Sequence, residues 1–350
     1  MKTIDIVIPV LNEERYIENC IKSVMAFVCP DDVTFQILLF DGGSTDKTAM
    51  ILADLQTEYK NLKIFDNKGR IQSVAMNMAI EMSQADYIMR LDAHSVYPAT
   101  YLKDCLATSL ETDADNVGGY FNTLPGDETF QAQLVQALTT HIFGVGNANF
   151  RLQRGGGPTD TVPYGFFKRS VFDKIGKFDE RLVRAQDYEV NKRITQTGGT
   201  VWMNPEIVID YYNQRTVWAF LKKQFVKEAP YNAFLWYLAP YSFAPRHAIT
   251  GVFAAGLIFG PLVIWWLPIL SFVFYGALML YTILALLSSA QQAVNFKKIT
   301  MIILLPLCFF AYHLIHGLGV LFGLLQLATF TSPVQKKLEP WKGHGKRRAL

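Results

Sequence analysis

Residues 35–58 read FQILLFDGGSTDKTAMILADLQTE, and this stretch decides the fold class. Residues 35–40 form a short apolar run, which is typical of a buried strand. The next residues, DGGSTD, are turn formers and helix N-cap residues. Residues 46–58 then carry apolar side chains at helical spacing. A strand, a tight acidic turn and a helix in direct succession indicate one unit of an α/β fold.

The same alternation continues on both sides of this stretch. Further strands are predicted at residues 4–10, 62–65 and 87–91, and further helices at residues 13–27, 71–83 and 99–111. This rhythm predicts a Rossmann-like α/β domain with a mostly parallel sheet. Ligands of such sheets bind at the carboxyl ends of the strands, so the loops after residues 10, 40 and 91 are expected on one edge.

The C-terminal third is apolar enough for a membrane. Residues 249–296 and 299–330 contain no Asp, Glu, Lys or Arg, and a membrane helix needs about 20 apolar residues. Residues 249–290 suit two helices divided near Pro268, whereas residues 299–330 are long for one span and short for two. Three crossings would place the basic tail outside, against the positive-inside tendency. We therefore expect an even count, with Pro261, Pro268 or residues 316–319 as turns.

Charge and cysteine content exclude several classes of protein. The chain has 33 Lys and Arg against 30 Asp and Glu, but eight of the basic residues and only Glu339 of the acidic ones follow residue 248. The preceding part is therefore mildly acidic, which disfavours nucleic acid as a partner. The four cysteines lie far apart with no C-x-x-C spacing, which argues against a zinc site or a disulfide framework.

Aromatic residues and lysines precede the first long apolar run. Residues 214–247 combine Trp and Tyr with Lys222, Lys223 and Lys227, which favours amphipathic helices in the membrane interface. An ordinary amphipathic helix packed on the domain is the alternative. The predicted domains are residues 1–213 (catalytic), 214–247 (interfacial), 248–331 (two to four membrane segments) and 332–350 (basic tail). Residues 144–161 are Gly-rich and predict a mobile loop or a long surface connection.

Three loops after predicted strands carry chemistry. They read IPVLNEE at residues 8–14, FDGGSTD at residues 40–46 and RLDAH at residues 90–94. These motifs resemble the family 2 glycosyltransferases of the GT-A fold. The later segments VPYG at 162–165, IGKFDE at 175–180 and QDYE at 186–189 follow in the family's order. The resemblance covers about residues 3–245 and is greatest to the membrane-anchored, succinoglycan-type ExoA-like group.

The first two loops are expected to hold the nucleotide. The Asp41 carboxylate at a strand end can accept hydrogen bonds from a base or ribose, and the adjacent glycines let the backbone approach. The resemblance implies that Asp41 acts with residues of the first loop. The nucleotide-sugar candidates in these two loops are Pro9, Asn12, Glu13, Asp41 and Gly43. A helix N-cap cluster at residues 41–46 is the structural alternative, and both interpretations can hold at once.

Asp92 and His94 occupy the place of the family's D-x-D metal motif. The resemblance implies that Asp92 binds the donor and, with His94, a divalent metal that offsets the charge of the donor diphosphate. His94 stands where many relatives have Asp. An imidazole ligand shifts the expected preference from Mg²⁺ toward Mn²⁺. A lone His is more often structural, and that alternative remains open.

Asp187 is the predicted catalytic base. An inverting transfer needs one carboxylate to take the proton of the acceptor hydroxyl, and the resemblance aligns Asp187 with the family's catalytic Asp. Gln186 replaces the preceding Glu of that acidic pair and is an acceptor or diphosphate candidate. The alternative is a carboxylate that complements the dipole of a helix beginning near residue 187.

Three further residues are weaker candidates. Arg70 could meet the donor diphosphate or base, or lie at a solvated helix start. Arg215 and Trp218 in QRTVW approach the Q-x-x-R-W element of processive synthases, but the Arg directly follows the Gln. That misfit favours the addition of one sugar at a time. Asn77 is interpreted as structural.

The predicted function is an inverting, metal-dependent membrane glycosyltransferase. It moves one hexose from a nucleotide diphosphate sugar, expected to be UDP-linked, to a polyprenyl-diphosphate-linked saccharide in cell-surface polysaccharide synthesis. Its expected place is a bacterial-type inner membrane, with the catalytic domain cytosolic. The alternatives are a polyprenyl-phosphate monosaccharide transferase, a polymer-exporting synthase and a non-catalytic nucleotide-sugar-binding scaffold. The sugar, the linkage and the oligomeric state do not follow from the sequence.

Overall fold

The computed structural model describes residues 1–336, with side chains for residues 1–335. Within these residues the chain forms two compact units. Of the described residues, the first comprises Met1–Asn122 and Gln153–Asp210, and the second comprises Thr123–Leu152 and residues 211–336. The change at residue 210 lies close to the predicted boundary at 213, whereas residues 123–152 join the helical unit. Most of the predicted basic tail, residues 337–350, lies outside the described residues.

Strands and helices alternate through the first half of the chain, and helices make up the last third. The strands are β1 (Lys2–Val10), β2 (Val33–Asp41), β3 (Leu62–Asp66), β4 (Tyr87–Arg90), β5 (Asn116–Leu124), β6 (Gly157–Pro158), β7 (Phe166–Lys168) and β8 (Val201–Tyr212). The helices are α1 (Ile17–Met25), α2 (Thr48–Glu58), α3 (Gln72–Met82), α4 (Tyr101–Thr112), α5 (Phe130–Thr139), α6 (Ile142–Val145), α7 (Asn149–Leu152), α8 (Val171–Ile175), α9 (Gln186–Gln196), α10 (Val217–Lys223), α11 (Ala229–Leu238), α12 (Pro245–Trp266), α13 (Ser271–Asn295), α14 (Met301–Ala328) and α15 (Pro333–Lys336).

An eight-stranded sheet runs in the order β3-β2-β1-β4-β7-β5-β8-β6. Strands β1 to β4 are parallel to their neighbours in this group, and β7 runs antiparallel to both β4 and β5. The central strand β1 is apolar on both faces, with Ile4 and Ile6 to Ile8 almost fully buried, as expected for a parallel strand covered on both sides. The predicted mostly parallel α/β sheet is confirmed.

The strand register brings the predicted loops together. Val10 at the end of β1 pairs with Asp41 at the end of β2, and Asp41 pairs with Asp66 at the end of β3. On the other side of β1, Val7 pairs with Arg90, the last residue of β4. The carboxyl ends of these four strands therefore lie along one edge of the sheet, where ligands of such sheets bind.

The Gly-rich stretch 144–161 is not one continuous loop. Its first part contains α7 and the end of α6, in the second unit. Its last part belongs to the first unit, where β6 pairs antiparallel with β8 and the Thr159 N–H donates to the Val201 carbonyl at 2.9 Å. The prediction of a mobile loop is therefore wrong for the part that completes the edge of the sheet.

Three helices of the second unit are long and apolar enough to cross a membrane. They span Pro245–Trp266, Pro268–Asn295 and Met301–Gln335 by length and composition. The division at Pro268 is as predicted. The turns proposed at Pro261 and at residues 316–319 are wrong, because α12 continues through Pro261 and α14 continues through 316–319. The expected even number of spans required a further turn at one of these positions, and neither position forms one.

Glycines of α14 serve close helix packing instead of a break. A Cβ on Gly317 would collide with the Thr250 carbonyl of α12, and one on Gly319 would come within 2.7 Å of the Ala229 Cβ of α11. A Cβ on Gly323 would come within 2.8 Å of backbone atoms of Pro230. Small residues at such contacts let membrane helices approach each other, which explains this glycine pattern inside a continuous helix.

The substitution Gly323→Ala is expected to destabilise the second unit by about 1–3 kcal/mol, because the added methyl meets backbone atoms that cannot rotate away. The matched control is Gly276→Ala on α13, where a Cβ meets nothing within 4 Å and helix propensity predicts a gain of up to about 1 kcal/mol. Thermal unfolding of both variants in detergent measures the difference. Equal unfolding midpoints would contradict the packing role of Gly323.

Candidate active site

The loops after β1 and β2 are joined by hydrogen bonds. The Asn12 N–H donates to Ser44 Oγ at 2.9 Å, and the Thr45 N–H donates to Asn12 Oδ1 at 2.8 Å. Asn12 adopts a positive φ of 57°, a conformation that Asn tolerates better than most residues. Glu13 is held by its N–H, which donates to Thr48 Oγ1 at 2.8 Å. The two loops therefore form one rigid platform at the strand ends.

Asp41 lies in the middle of this platform. Its carboxylate accepts the Ser44 hydroxyl at 2.6 Å and the Ser44 N–H at 3.1 Å. The start of α2 is served by a different carboxylate, because Asp46 Oδ1 accepts the Thr48 N–H at 2.9 Å. Gly43 has a φ of +78°, and a Cβ placed on it would meet nothing within 4 Å. A glycine is therefore required there by backbone conformation, and the space beside it is open.

The third loop is organised by a buried arginine. Arg90 ends β4 with only 5% of its side chain exposed. Its Nη2 donates to Asp92 Oδ1 at 2.7 Å, and its Nη1 forms a short ion pair with Asp187 Oδ2. The guanidinium also lies 5.5 Å from the ring centroid of Tyr164. Burial opposes the charge of Arg90, but the two carboxylates outweigh burial and raise its pKa. The cation is therefore permanent.

Asp187 stands in the first turn of α9. The preceding Ala185 has a φ of 61°, so the chain turns sharply into the helix. The Asp187 side chain is 26% exposed, yet its Oδ1 is buried and has no hydrogen-bond partner among the described residues. Burial raises the pKa of Asp187, and Arg90 offsets part of that increase. The Asp187 carboxylate is therefore held by Arg90, while part of its side chain stays exposed.

Two glutamines close a ring around the ion pairs. Gln72, the first residue of α3, donates through Nε2 to Asp92 Oδ1 at 2.9 Å. Gln186 donates through Nε2 to Gln72 Oε1 in a short hydrogen bond, and Gln186 is the direct neighbour of Asp187. The ring therefore links the end of β4 and the first residues of α3 and α9.

Asp92 and His94 offer two possible metal ligands. Asp92 Oδ1 is engaged by Arg90 and Gln72, whereas no hydrogen bond reaches Oδ2 from the part of the chain that the structure describes. His94 is half exposed, and its Nδ1 lies 3.2 Å from Glu13 Oε1. Within residues 1–335, no three His, Cys, Asp or Glu side chains form a metal-binding group. A carboxylate oxygen and an imidazole nitrogen are donor types that a divalent ion accepts beside substrate phosphates and water.

Comparison with known proteins identifies the family of the first unit. The family model described as Glycosyl transferase family 2 matches residues 5–176. The chain carries a family 2 glycosyltransferase domain. It is 32% identical over 209 residues to the succinoglycan biosynthesis protein ExoA of Rhizobium meliloti, covering 59% of this chain and 62% of that protein.

A second family 2 relative matches nearly the whole chain. It is the dolichyl N-acetyl-alpha-D-glucosaminyl phosphate 3-beta-D-2,3-diacetamido-2,3-dideoxy-beta-D-glucuronosyltransferase of Methanococcus voltae, 27% identical over 93% of this chain and 98% of that protein. Among solved structures, S. aureus TarS 1–349 in complex with UDP-GlcNAc is 17% identical over 71% of this chain and 75% of that chain, with a TM-score of 0.47.

The structure places most predicted glycosyltransferase residues of the first unit along one edge of the sheet. Pro9 lies in β1 opposite Phe40 of β2. Arg70 is exposed with a φ of 57°, and its Cα would lie 3.4 Å from a Cβ built on Gly42, beside the Asp41 loop. Arg215 and Trp218 belong to the second unit and are exposed, with Trp218 at 72%. Their roles stay predictions.

Asn77 has the structural role expected for it. Its Nδ2 donates to the Phe178 carbonyl at 3.0 Å and to Glu180 Oε1 at 2.8 Å, and its Oδ1 accepts the Phe178 N–H at 2.8 Å. Ser73 adds a hydrogen bond to the Leu182 carbonyl at 3.0 Å. Helix α3 therefore fixes the segment that leads into α9 and Asp187.

The sequence interpretation missed Arg90 and Gln72. A signal for Arg90 was available, because residues two apart on a strand share a face, and Arg90 precedes Asp92 by two positions. A charged residue that ends a buried strand also needs a partner. Gln72 carried no such signal, since its contact with Gln186 joins residues that are 114 positions apart.

Proposed function

We propose that this glycosyltransferase transfers one hexose, with inversion, from a nucleotide diphosphate sugar to a lipid-linked saccharide. The observation that carries the proposal is the placement of Asp187. Its side chain is 26% exposed and its carboxylate is fixed by Arg90, and the same guanidinium holds the donor-site candidate Asp92. The side chain of Arg90 thus bridges the proposed proton acceptor, Asp187, and the proposed donor-binding carboxylate, Asp92.

In the proposed reaction, the acceptor hydroxyl oxygen attacks the anomeric carbon from the face opposite the diphosphate. The new carbon–oxygen bond forms as the bond to the diphosphate breaks, and the nucleoside diphosphate leaves with the bonding electrons. The hydroxyl proton passes to Asp187. One carboxylate suffices, because no covalent glycosyl-enzyme intermediate is formed. The platform of Pro9, Asn12, Glu13, Asp41 and Gly43 is proposed to hold the nucleotide.

A divalent metal is proposed to bind Asp92 and His94, with Mn²⁺ preferred over Mg²⁺ because one ligand is an imidazole. When bound, the metal would offset the negative charge of the diphosphate and of the leaving group. The ion pair with Arg90 and the hydrogen bond from Gln72 fix the Asp92 carboxylate in place.

A lipid-linked acceptor is supported by the relatives and by the helices. The name of the Methanococcus relative specifies a dolichyl phosphate-linked sugar as acceptor, and ExoA acts in succinoglycan biosynthesis by its name. The three long apolar helices are suited to hold the enzyme at a membrane. We propose a polyprenyl-diphosphate-linked saccharide as the acceptor and the bacterial inner membrane as the location.

Lysine positions support a cytosolic catalytic domain. If all three long helices span, the turn that contains Lys297 and Lys298 lies on the same side of the membrane as the chain before the first span. Lys222, Lys223 and Lys227 precede that first span. Cytoplasmic loops are enriched in Lys and Arg, so both groups favour the cytosolic side.

Nucleotide release by the detergent-purified protein tests the proposal. The donors are UDP-glucose, UDP-galactose, UDP-N-acetylglucosamine and GDP-mannose, each with Mn²⁺ or Mg²⁺. The acceptors are a lipid-diphosphate saccharide, a lipid-monophosphate saccharide and bare polyprenyl phosphate. Metal-dependent release from one donor, stimulated only by a lipid-linked saccharide, is the expected result. Stimulation by bare polyprenyl phosphate would replace the proposal with the monosaccharide transferase, and a ladder of products would indicate a polymer synthase.

The pH profile tests the base. Because burial raises the pKa of Asp187, we expect the acidic limb of kcat/KM above the ordinary carboxyl value of about 4. A base works only when deprotonated, so the rate is retained above this pKa and lost as the pH falls through it. Protonation of His94 would also lower the rate, but that limb would move as Mn²⁺ is increased. We expect the pH at which the acidic limb of kcat/KM occurs to stay the same as the Mn²⁺ concentration is raised. A kcat/KM that does not fall at low pH would contradict the base role.

A further inference from the structure

Arg90 is the first residue of the RLDAH motif, yet the sequence interpretation gave it no role. Its side chain is 5% exposed, and its two terminal nitrogens contact different carboxylates. The partners lie 2 and 97 positions away in sequence. A planar guanidinium can hold two oxygens in fixed directions, which a lysine ammonium cannot.

The carboxylates that contact the Arg90 guanidinium carry more negative charge than the guanidinium carries positive charge. Asp92 and Asp187 together carry two negative charges, and Arg90 supplies one positive charge between them. Tyr164 lies against the guanidinium, and Ser95 Oγ lies 2.9 Å from its hydroxyl oxygen. Without Arg90, two carboxylates would share a poorly solvated region with no cation between them.

The two oxygens of Asp187 are unequal because of Arg90. Oδ2 is held by Arg90, and Oδ1 is buried with no hydrogen-bond partner in the chain up to residue 335. The neighbouring Gln186 is tied through Gln72 to Asp92, so the backbone that carries Asp187 is fixed from the same side. The Asp187 carboxylate is therefore fixed both by its own ion pair and by the contacts of its neighbour.

We propose that Arg90 is a positioning residue that fixes the Asp187 carboxylate at the start of α9 and couples this base to the donor-binding carboxylate Asp92. The inference rests on the proposed function. Arg90 does not touch the reacting atoms. It acts through Asp187, so its loss should reduce the chemical step more than donor binding. Gln72 still donates to Asp92 Oδ1 when Arg90 is lost, so the affinity for the metal and donor should fall much less than kcat.

A double-substitution cycle of Arg90→Gln with Asp187→Asn tests this coupling. In the native background, Arg90→Gln is expected to lower kcat by about 100-fold, the scale of a general base, with the donor dissociation constant changed less than about 3-fold. In the Asp187→Asn background, the same substitution should lower the residual rate by less than about 3-fold, because groups that act as a unit are not additive. Arg90→Lys should fall between Arg90→Gln and the native enzyme.

Calorimetric titration of the nucleoside diphosphate with Mn²⁺ reports donor-site integrity and shows that each variant is folded. An equal loss of kcat in both backgrounds, or a fall of donor affinity in step with kcat, would overturn the role of Arg90. A variant that thermal unfolding shows to be misfolded is replaced by Arg90→Lys in the same cycle. If Asp187→Asn alone keeps its rate, the proposed base is wrong; if it loses its rate but Arg90→Gln does not, only the inference about Arg90 fails.

Discussion

Replacing Asp187 with Asn is expected to lower kcat by about 10³-fold, within the range of a lost general base, while the enzyme still binds the nucleotide sugar. The amide keeps the size of the carboxylate and cannot take the acceptor proton. Its amide oxygen can still accept the hydrogen bond from Arg90, so the fold around α9 should persist. Single-turnover release of nucleotide, measured beside calorimetric binding of the donor, separates the two effects.

The control for Asp187→Asn is Asp173→Asn, which removes a carboxylate on α8 that pairs with Arg169 at 3.0 Å and is 63% exposed. An exposed ion pair of this kind contributes about 0–1 kcal/mol to stability, so activity should be unchanged. Retention of most of the native rate by Asp187→Asn would refute the base. Loss of both rate and nucleotide binding would mean that Asp187 maintains the donor site instead.

Replacing Asp92 with Asn is expected to lower metal-dependent activity by about 10²-fold or more, because removal of one charged ligand weakens the offset of the diphosphate charge. The amide oxygen can still accept hydrogen bonds from Arg90 and Gln72, so the loop should keep its shape. In contrast to Asp187→Asn, the loss should appear in donor binding and should be partly recovered by high Mn²⁺. Titration of UDP with and without Mn²⁺ measures this directly.

The matched variant for Asp92→Asn is His94→Asp, which exchanges the nitrogen ligand for an oxygen ligand. It should retain activity and shift the preference from Mn²⁺ toward Mg²⁺. His94 is half exposed, so the substitution should not disturb the core. If the Asp92→Asn variant kept the native activity, and this activity were the same with and without metal, Asp92 would be excluded as a metal ligand. An unchanged metal preference in His94→Asp would return His94 to a structural role.

Short-range patterns were enough to predict the sheet and its edge. Alternating apolar runs and helical spacing predicted β1 to β4 and α1 to α4 within a few residues of their observed bounds. The turn residues after 10 and 40 predicted the loops that hydrogen bonds between Asn12, Ser44 and Thr45 now join. Family resemblance added Asp92 and Asp187, and the family and the enzyme class are confirmed.

The membrane helices show where local patterns mislead. Residues 316–319 contain two glycines within an apolar run, and a glycine pair suggested a turn. Helix α14 instead runs through them, because Gly317, Gly319 and Gly323 meet the neighbouring helices α11 and α12. The local sequence does not distinguish a glycine that ends or bends a helix from one that lets a neighbouring helix pack closely. The distinction depends on the neighbouring helix, which is a different segment of the chain.

The sequence by itself determined the α/β class, the apolar helices and the loops that carry the chemistry, because periodicity and turn residues act over a few neighbouring positions. Only the tertiary structure decided that Arg90 joins Asp92 to Asp187 and that Gln72 joins Asp92 to Gln186. These contacts depend on the order in which strands pair and on where α3 and α9 begin. Residues about 100 positions apart meet there, and no local pattern records that meeting.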